Sequence, residues 1–394
     1  MNYILFDDTL RKQLYPFTQT RAVAHILCGI WTMKERWDFF LGADTGILTA
    51  PELQPLYASG AANEDTLYIN AAYFANMPLV EAIHQLERGQ VLADTEQRTI
   101  AYRSAEPLSD LEALYAACSL SSHMGIHRDA ARLVKPWDIF ACNDFAIRSD
   151  FDAIQVQQYS QKLPDHVTVI GEREDIFVAS GAVIGPCIIN ARTGPVYIGA
   201  DSEVMEGCMI RGPFALKDHG VLKMGAKVYG ATTIGEGSKV GGEVNNIVVF
   251  NNSNKGHDGF LGNAVLGEWC NLGADTNCSN LKNDYNTVKV WNIENGAPES
   301  TGLQFCGLLM GDHSKCGINT MFNTGTVVGV SCNVFGSGFP DKYIPAFTWG
   351  GTGEGVVYRF EKAVEAANRM MSRRNRALSE AEIAVLKNIY DHIV

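Results

Sequence analysis

From about residue 166 to 350, apolar residues recur every six positions, often with glycine one step later. Ile198, Val204 and Ile210 form one row, Ile234 and Val240 a second, and Leu266, Leu272 and Cys278 a third. The longest row is Met310, Cys316, Phe322, Val328 and Val334. This period predicts a parallel β-helix. Each six-residue face is a short strand plus a turn, and three faces close one triangular coil. The inward residue stacks on its copies in neighbouring coils, and turns that need φ > 0 take Gly or Asn. A β-sandwich would not hold one phase over so many repeats. Cys278 and Cys316 fall on inward positions and read as core thiols. The phase breaks over 211–222 and 283–303, where loops are expected to leave the coil and complete sites.

The rest of the chain has a different texture. Its 394 residues are enough for two or three domains, and 46% apolar with 19% charged residues is an ordinary globular balance. Residues 1–155 mix strand-like segments, YILF and DTLYIN, with helical apolar spacing over 22–41 and 109–118, which predicts an α/β layer domain. The tail, 356–394, reads as helical: SEAE at 379–382 is a capping box, followed by the stripe Ile383, Leu386, Ile389 and Tyr390.

A net charge of −12 argues against a nucleic-acid-coating protein. No apolar run reaches membrane-spanning length, and the start turns acidic within a few residues, unlike a signal peptide. Ten cysteines without a CxxC pair read as reduced thiols. These features predict a cytoplasmic protein with no nucleic-acid or membrane partner. His123 and His127 are four apart, but Gly125 between them argues for a surface loop rather than a metal site.

The segment 254–280, NKGHDGFLGNAVLGEWCNLGADTNCSN, carries the sharpest chemical signal. It resembles the acetyltransferase half of the bifunctional N-acetylglucosamine-1-phosphate uridyltransferase and glucosamine-1-phosphate N-acetyltransferase family. His257, Leu261-Gly262, Asn271-Leu272-Gly273-Ala274, Thr276 and Asn280 match without a gap. The resemblance implies that His257 is the catalytic base, since acyl transfer from a thioester needs a neutral amine and an imidazole can take its proton near neutral pH. It further implies that Asn271 and Asn280 bind the sugar, and that the Ala274 backbone approaches acyl-CoA. Phe260 stands where the family has Tyr, and the family's phosphate-clamping Arg and Lys are replaced by Asn245 and Asn246. Lys255, Lys282 or Lys289 could substitute.

The opening, LFDDTLRKQLYPFTQTR followed by GIWTMKERW, resembles a variant sugar nucleotidyltransferase domain whose Gly-rich phosphate loop is replaced by Asp7, Asp8 and Thr9. The resemblance implies nucleotide binding by Arg11, Arg21 and Lys34. It also implies a Mg²⁺ held near Asn70 and the Asn143-Asp144 pair, with Asn143 the better candidate.

The whole is expected to be a Rossmann-like α/β nucleotidyltransferase-like domain (1–155), a left-handed parallel β-helix (166–350) and C-terminal helices (356–394). The resemblance implies a homotrimer that binds acyl-CoA between adjacent β-helices, with sugar phosphate and nucleoside triphosphate as the other substrates. The expected function joins acetyl transfer from acetyl-CoA to an amino sugar 1-phosphate with nucleotidyl transfer, UTP being the expected donor. Three alternatives stay open. One is a sugar-1-phosphate nucleotidyltransferase, such as a glucose-1-phosphate thymidylyltransferase, with a structural β-helix. The others are an acyltransferase acting on another acceptor, and a non-enzymatic scaffold or sensor.

Overall fold

The structure, a computed structural model, describes residues 1–60, 65–127, 130–351 and 355–393. The N-terminal domain is a six-stranded sheet with helices on it. Its strands are β1 (Asn2–Phe6), β2 (Gly46–Leu48), β3 (Thr66–Asn70), β4 (Gln90–Asp94), β5 (Thr99–Ser104) and β6 (Ser122–His127), in the order β2-β1-β3-β5-β4-β6. β1 is parallel to β2 and β3, and β5 runs antiparallel to both β3 and β4. YILF and TLYIN are β1 and β3, as the apolar runs predict. The helices are α1 (Met33–Leu41), α2 (Met77–His84), α3 (Leu111–Leu120), α4 (Asp138–Ala141) and α5 (Asn143–Gln157). The helix expected over 22–41 is therefore only its second half. Gly29, with φ +84°, lies in the turn before it, and Thr32 caps α1 through a reciprocal pair with Glu35. Ser122–His127 is a strand rather than a loop, and the side chains of His123 and His127 lie outside the described residues.

The β-helix winds from Thr168 onward, its strands parallel coil to coil. Three inward rows fill it. On the first face these are Ile184, Val204, Leu222, Val240, Lys255, Leu272, Cys316 and Val334. On the second they run from Ile189 through Ile210, Val228, Val244, Leu261 and Cys278 to Phe322. On the third they run from Ile198 through Leu216, Ile234, Val249, Leu266, Met310 and Val328 to Ile344. All four rows seen in the sequence are buried. The break expected at 211–222 is absent: Leu216 and Leu222 keep the six-residue phase. The break at 283–303 is real and holds an antiparallel hairpin, Lys289–Asn292 paired with Ala297–Ser300.

The outward side of the third face fixes how the domains meet. Phe177, Tyr197, Ala215, Thr233, Val248, Val265, Leu309, Val327 and Tyr343 form one ladder across nine coils. Val248, Val265, Leu309 and Val327 belong to the same core cluster as Leu5, Phe17, Trp37 and Phe140 of the N-terminal domain. Phe177 and Ala215 pack with Ile147 and Phe151 of α5. The inserted hairpin joins in through Val288 and Val290, and Lys135 reaches its Glu299 at 2.6 Å. The N-terminal domain thus lies lengthwise on the third face. α6 (Phe360–Ser372) and α7 (Glu380–Asp391) pack at the edge between the third and first faces, around Trp269, Val330 and Phe347. Ser379 and Glu382 cap α7 reciprocally, as SEAE predicts.

Val248→Asp would place an unpaired carboxylate between the two domains. The expected loss is about 3 kcal/mol or more, read as a lowered urea midpoint with unchanged slope. A loss below about 1 kcal/mol would mean the ladder does not carry the interface.

Candidate active sites

The edge between the first and second faces carries His257. The turn from Gly256 to Gly259 joins Lys255 on the first face to Phe260 on the second. In the preceding coil only Gly241 and Gly242 separate Val240 from the strand Glu243–Val249, a shorter corner. A Cβ on Gly242 would stand 2.8 Å from the His257 carbonyl oxygen. The shorter corner thus lies against the backbone of the turn that carries the exposed His257. Gly241, Gly256, Gly273 and Gly317 follow the inward residue of the first face in four successive coils, with Lys223 and Phe335 at that position on either side. At roughly 4.8 Å per coil these glycines line a trough of about 14 Å without side chains.

Lys255 does not reach the substrate surface. It occupies the inward stack between Val240 and Leu272 and is 2% exposed. Its Nζ donates to the His257 carbonyl oxygen at 2.6 Å. Burial pushes its ammonium down to about 8, against the pull of Asp258 and Asp275. This corrects its expected role: it ties down the His257 turn from inside. Asn271 faces outward on the first face, where its Oδ1 accepts from Asn254 Nδ2 at 2.9 Å. Phe260 lies on the second face and Asn280 at its far edge, towards the third face, yet both reach Gly262. A Cβ on Gly262 would be 2.7 Å from Phe260 Cζ and 2.5 Å from Asn280 Nδ2. Asn280 donates to Asn263 Oδ1 at 2.8 Å, and Asn263 in turn meets Asn246 once that amide is oriented to accept from it. The Ala274 carbonyl accepts from Asn319 N on the following coil. His257, Asn271, Ala274 and Phe260 therefore lie about one edge, while Asn280 stands at the next edge, across the second face.

In the N-terminal domain the pairing of β1 with β3 brings Asp8 beside Asn70. Asn70 Nδ2 donates to Asp8 Oδ2 at 3.0 Å and to the Thr99 carbonyl, while its Oδ1 accepts from Ala72 N. Tyr115 donates to the Asp7 carbonyl at 2.6 Å. Asp7 itself is buried and bonded to Thr49 and Val23, and burial pushes its carboxyl up to about 6. Nearby, Tyr73 donates to Asp94 at 2.8 Å, and the Arg132 guanidinium lies over the Tyr73 ring with its Nη1 unpartnered. Arg132 was not legible as a site residue, because only the bridge between Tyr73 and Arg132 brings it there.

The three cations expected to bind nucleotide are all paired. Arg11 donates to Glu52 and to the Thr18 carbonyl, each at 2.7 Å. Lys34 bonds Asp38 and Asp44 on and beside α1. Arg21 is buried and pairs with Asp312 of the β-helix, so it braces the domains. The expected metal residues do not converge. Asn143 is fully buried at the interface: its Oδ1 accepts from Gly29 N and Thr233 Oγ1, and its Nδ2 donates to the Ala231 carbonyl. With both lone pairs used it is not a metal ligand, and Asp144 bonds Arg148 on the outside of α5. Among the described residues no group of three or more His, Cys, Asp or Glu is placed to hold a metal. Asp8 is the carboxylate that stands beside Asn70.

Residues 3–158 match the family model of sugar nucleotidyl transferases. Among similar proteins, a bifunctional protein GlmU of Methanocaldococcus jannaschii is 32% identical over 117 residues, 30% of this chain and 28% of that protein. A bifunctional sugar-1-phosphate nucleotidylyltransferase/acetyltransferase of Sulfurisphaera tokodaii is 29% identical over 203 residues, 51% of this chain and 43% of that protein. An uncharacterized acetyltransferase, YaiX, of Escherichia coli O6:K15:H31 is 23% identical over 192 residues, 48% of this chain and 80% of that protein. The chain thus spans less than half the length of the two bifunctional relatives. Residues 3–158 are similar to sugar nucleotidyl transferase domains, a β-helix follows them, and the relatives are transferases by name. No helix among the described residues is long and apolar enough to cross a membrane.

Lys255 yields a test with a worked sign. Its folded pKa lies below that of an unfolded lysine, so below about pH 8 the fold holds an ammonium in an aliphatic stack. That penalty fades as pH rises from about 8 towards the ordinary lysine range near 10.5. Lys255→Met should therefore be more stable at pH 7, by about 1–3 kcal/mol. The gain should shrink at about pH 9.5. Urea denaturation at both pH values measures it, and equal gains would exclude the charge as the cause.

Proposed function

We propose that this chain is a two-activity transferase of amino-sugar nucleotide synthesis. At the His257 edge, acetyl passes from acetyl-CoA to the amine of an amino sugar 1-phosphate. In the N-terminal domain, the N-acetylated sugar 1-phosphate attacks a nucleoside triphosphate, with UTP our choice, and pyrophosphate leaves. The observation that carries the acyl half is the exposed His257 on a turn packed against the Gly241-Gly242 corner, beside the glycine trough. The trough suits the thin, extended arm of acyl-CoA. His257 takes the amine proton as the N–C bond forms. The C–S bond then breaks, and the proton passes to the departing thiolate. Asn271 on one side of the edge, and Phe260 with Asn280 on the other, would hold the sugar. Lys255 positions the His257 turn without touching substrate.

The exposed Ile318, Phe335 and Trp349 near the end of the trough support assembly of a homotrimer, with acyl-CoA between adjacent β-helices. For nucleotidyl transfer, the partly unpaired Arg132 is the cation placed to meet phosphate, and Asp8 the carboxylate placed for Mg²⁺. That ion would offset charge at the α-phosphate.

One observation favours a second reading, an acyltransferase with a binding-only first domain: Arg11, Arg21 and Lys34 are all already held by carboxylates. Two assays separate the readings. Thiol release from acetyl-CoA with glucosamine 1-phosphate should fall about 100-fold or more in His257→Ala. Unchanged release would remove His257 from catalysis. Pyrophosphate release from UTP and N-acetylglucosamine 1-phosphate should fall at least tenfold in Arg132→Ala. Its absence in the unaltered protein would leave the acyltransferase alone.

Gly317→Leu probes the trough with little strain, because the nearest heavy atom to a Cβ there is Phe335 Cβ at 3.5 Å. Its KM for acetyl-CoA should rise about tenfold, a loss of about 1.4 kcal/mol, with kcat little changed. An unchanged KM would place the acyl donor elsewhere.

A further inference from the structure

A two-stranded hairpin is marginal in water by itself, and the one inserted at Lys289–Ser300 is held on both sides. Side chains alternate along its strands. On one side Trp291 stacks on Tyr343 of the coil, ring centres 5.1 Å apart. Val290 and Asn292, with Glu299 opposite Val290, share the other side and meet the N-terminal domain. Four residues close a polar network there. Lys135 Nζ donates to Glu299 Oε1 at 2.6 Å and to Gln13 Oε1 at 2.8 Å. Asn292 Nδ2 donates to Glu299 Oε2 at 2.6 Å and to Gln13 Oε1 at 2.9 Å. Burial alone would raise the Glu299 carboxyl, but the bonds from Lys135 and Asn292 hold it below its ordinary value. Apolar contact such as that of Val290 joins surfaces in several registers, whereas a closed, charge-assisted network admits one.

The network fixes the two segments that carry Asp8 and Arg132. Gln13 lies on the helical turn Arg11–Leu14, which follows Asp8 without slack. Leu10 N donates to Asp8 Oδ1 at 2.8 Å, Arg11 N to the Asp8 carbonyl at 3.1 Å, and Gln13 N to the Leu10 carbonyl at 2.8 Å. Lys135 follows Arg132 by three residues. Its segment is pinned to the chain after β3: Phe74 N donates to the Ala131 carbonyl and Leu133 N to the Ala72 carbonyl, each at 2.9 Å. Asp138 accepts from the Val134 and Lys135 amides. Asp8 meets Asn70 at the end of β3. Asp8, Asn70, Arg132, Lys135 and Gln13 therefore lie along a closed ring of chain. The link between Lys135 and Gln13 runs through their side chains, and the β-helix braces it with Asn292 and Glu299.

We propose, on the reading that the N-terminal domain transfers a nucleotidyl group, that the hairpin is a latch on that site with Glu299 as its positioning residue. Glu299 holds the Asp8 and Arg132 segments at their reacting separation without touching substrate. The activity of the first domain then depends on an insertion in the second. Transition-state placement is more demanding than ground-state binding, so a loosened latch costs turnover before it costs affinity.

The test compares Glu299→Ala with the unaltered full chain, using UTP and N-acetylglucosamine 1-phosphate. The kcat for pyrophosphate release should fall about tenfold, with the KM for UTP changed less than about threefold. Hydrogen exchange should quicken in peptides covering 8–14 and 132–138. It should stay unchanged over 183–204, in coils remote from the hairpin. A kcat within about twofold of the unaltered chain, a loss carried by KM, or unchanged exchange at 8–14 and 132–138 would each overturn the latch. So would exchange that quickens over 183–204 as well, which would make Glu299 a residue of general stability. No pyrophosphate release from the unaltered chain would remove the nucleotidyl-transfer reading and the latch with it. Release that Glu299→Ala leaves intact would remove the latch alone.

Discussion

The outward ladder of the third face governs the arrangement of this molecule. A β-helix turns one residue of each strand pair inward, and the outward positions normally meet water. Here nine successive outward positions, Phe177 to Tyr343, are mostly apolar or aromatic and run the length of the coil. A stripe of that size cannot stay solvated without cost, at about 25 cal/mol per Å² of apolar surface. The N-terminal sheet and its helices cover it. Polar groups caught under the cover are satisfied there. The Thr233 hydroxyl, in the middle of the ladder, lies 2.9 Å from the Gly29 carbonyl oxygen and 3.1 Å from Asn143 Oδ1. Asp150 receives Arg36 and the Ile30 and Trp31 amides.

Covering one face gives the three edges of the prism different uses. The edge between the second and third faces borders the N-terminal domain and is held by Asn246, Asn263 and Asn280 stacked coil on coil. The edge between the third and first faces takes the C-terminal helices and the Arg21–Asp312 brace. The remaining edge lies opposite the covered face and has the shortest corner, Gly241-Gly242, next to the longer turn of the following coil. That is where the His257 motif falls. A site there stays open however tightly the domains pack on the far side.

The inward rows were legible because a stacked position admits only residues of one kind, so Met310 through Val334 announce themselves. The apparent break at 211–222 shows the limit of that signal. Phe214, Ala215 and Leu216 are buried on both sides, the inner by the coil and the outer by the N-terminal domain. Strands buried on both faces read as continuous apolar runs, so the alternation that marks the period disappears. The site residues divide in the same way. His257 and its neighbours form one contiguous segment and were readable in order. Asn143 and Arg21 resembled site residues locally, but their partners, Thr233 and Asp312, lie far along the chain. Nothing near either residue shows that its bonds are already spent. Arg132 is the converse, a lone arginine that only strand pairing brings beside Tyr73 and Asp94.

The remaining costs in the structure are unevenly placed. Among the described residues, four buried side-chain atoms lack a partner: Gln19 Oε1, Arg21 Nη1, Arg132 Nη1 and His313 Nδ1. Arg21 and His313 lie where the N-terminal domain, the β-helix and α7 meet, and Arg132 stands by Tyr73 and Asp94. Lys255 belongs with this group, since an inward lysine between Val240 and Leu272 is a charge where every neighbouring coil has an apolar side chain. A fold selected for stability alone would have a leucine at 255 and no orphaned guanidinium N–H, each change gaining roughly 1–3 kcal/mol. Interaction free energy is forgone where the chain must leave bonds open or hold a turn in place for something else. The forgone interactions include Lys255, directly behind His257, and Arg132, over the Tyr73 ring.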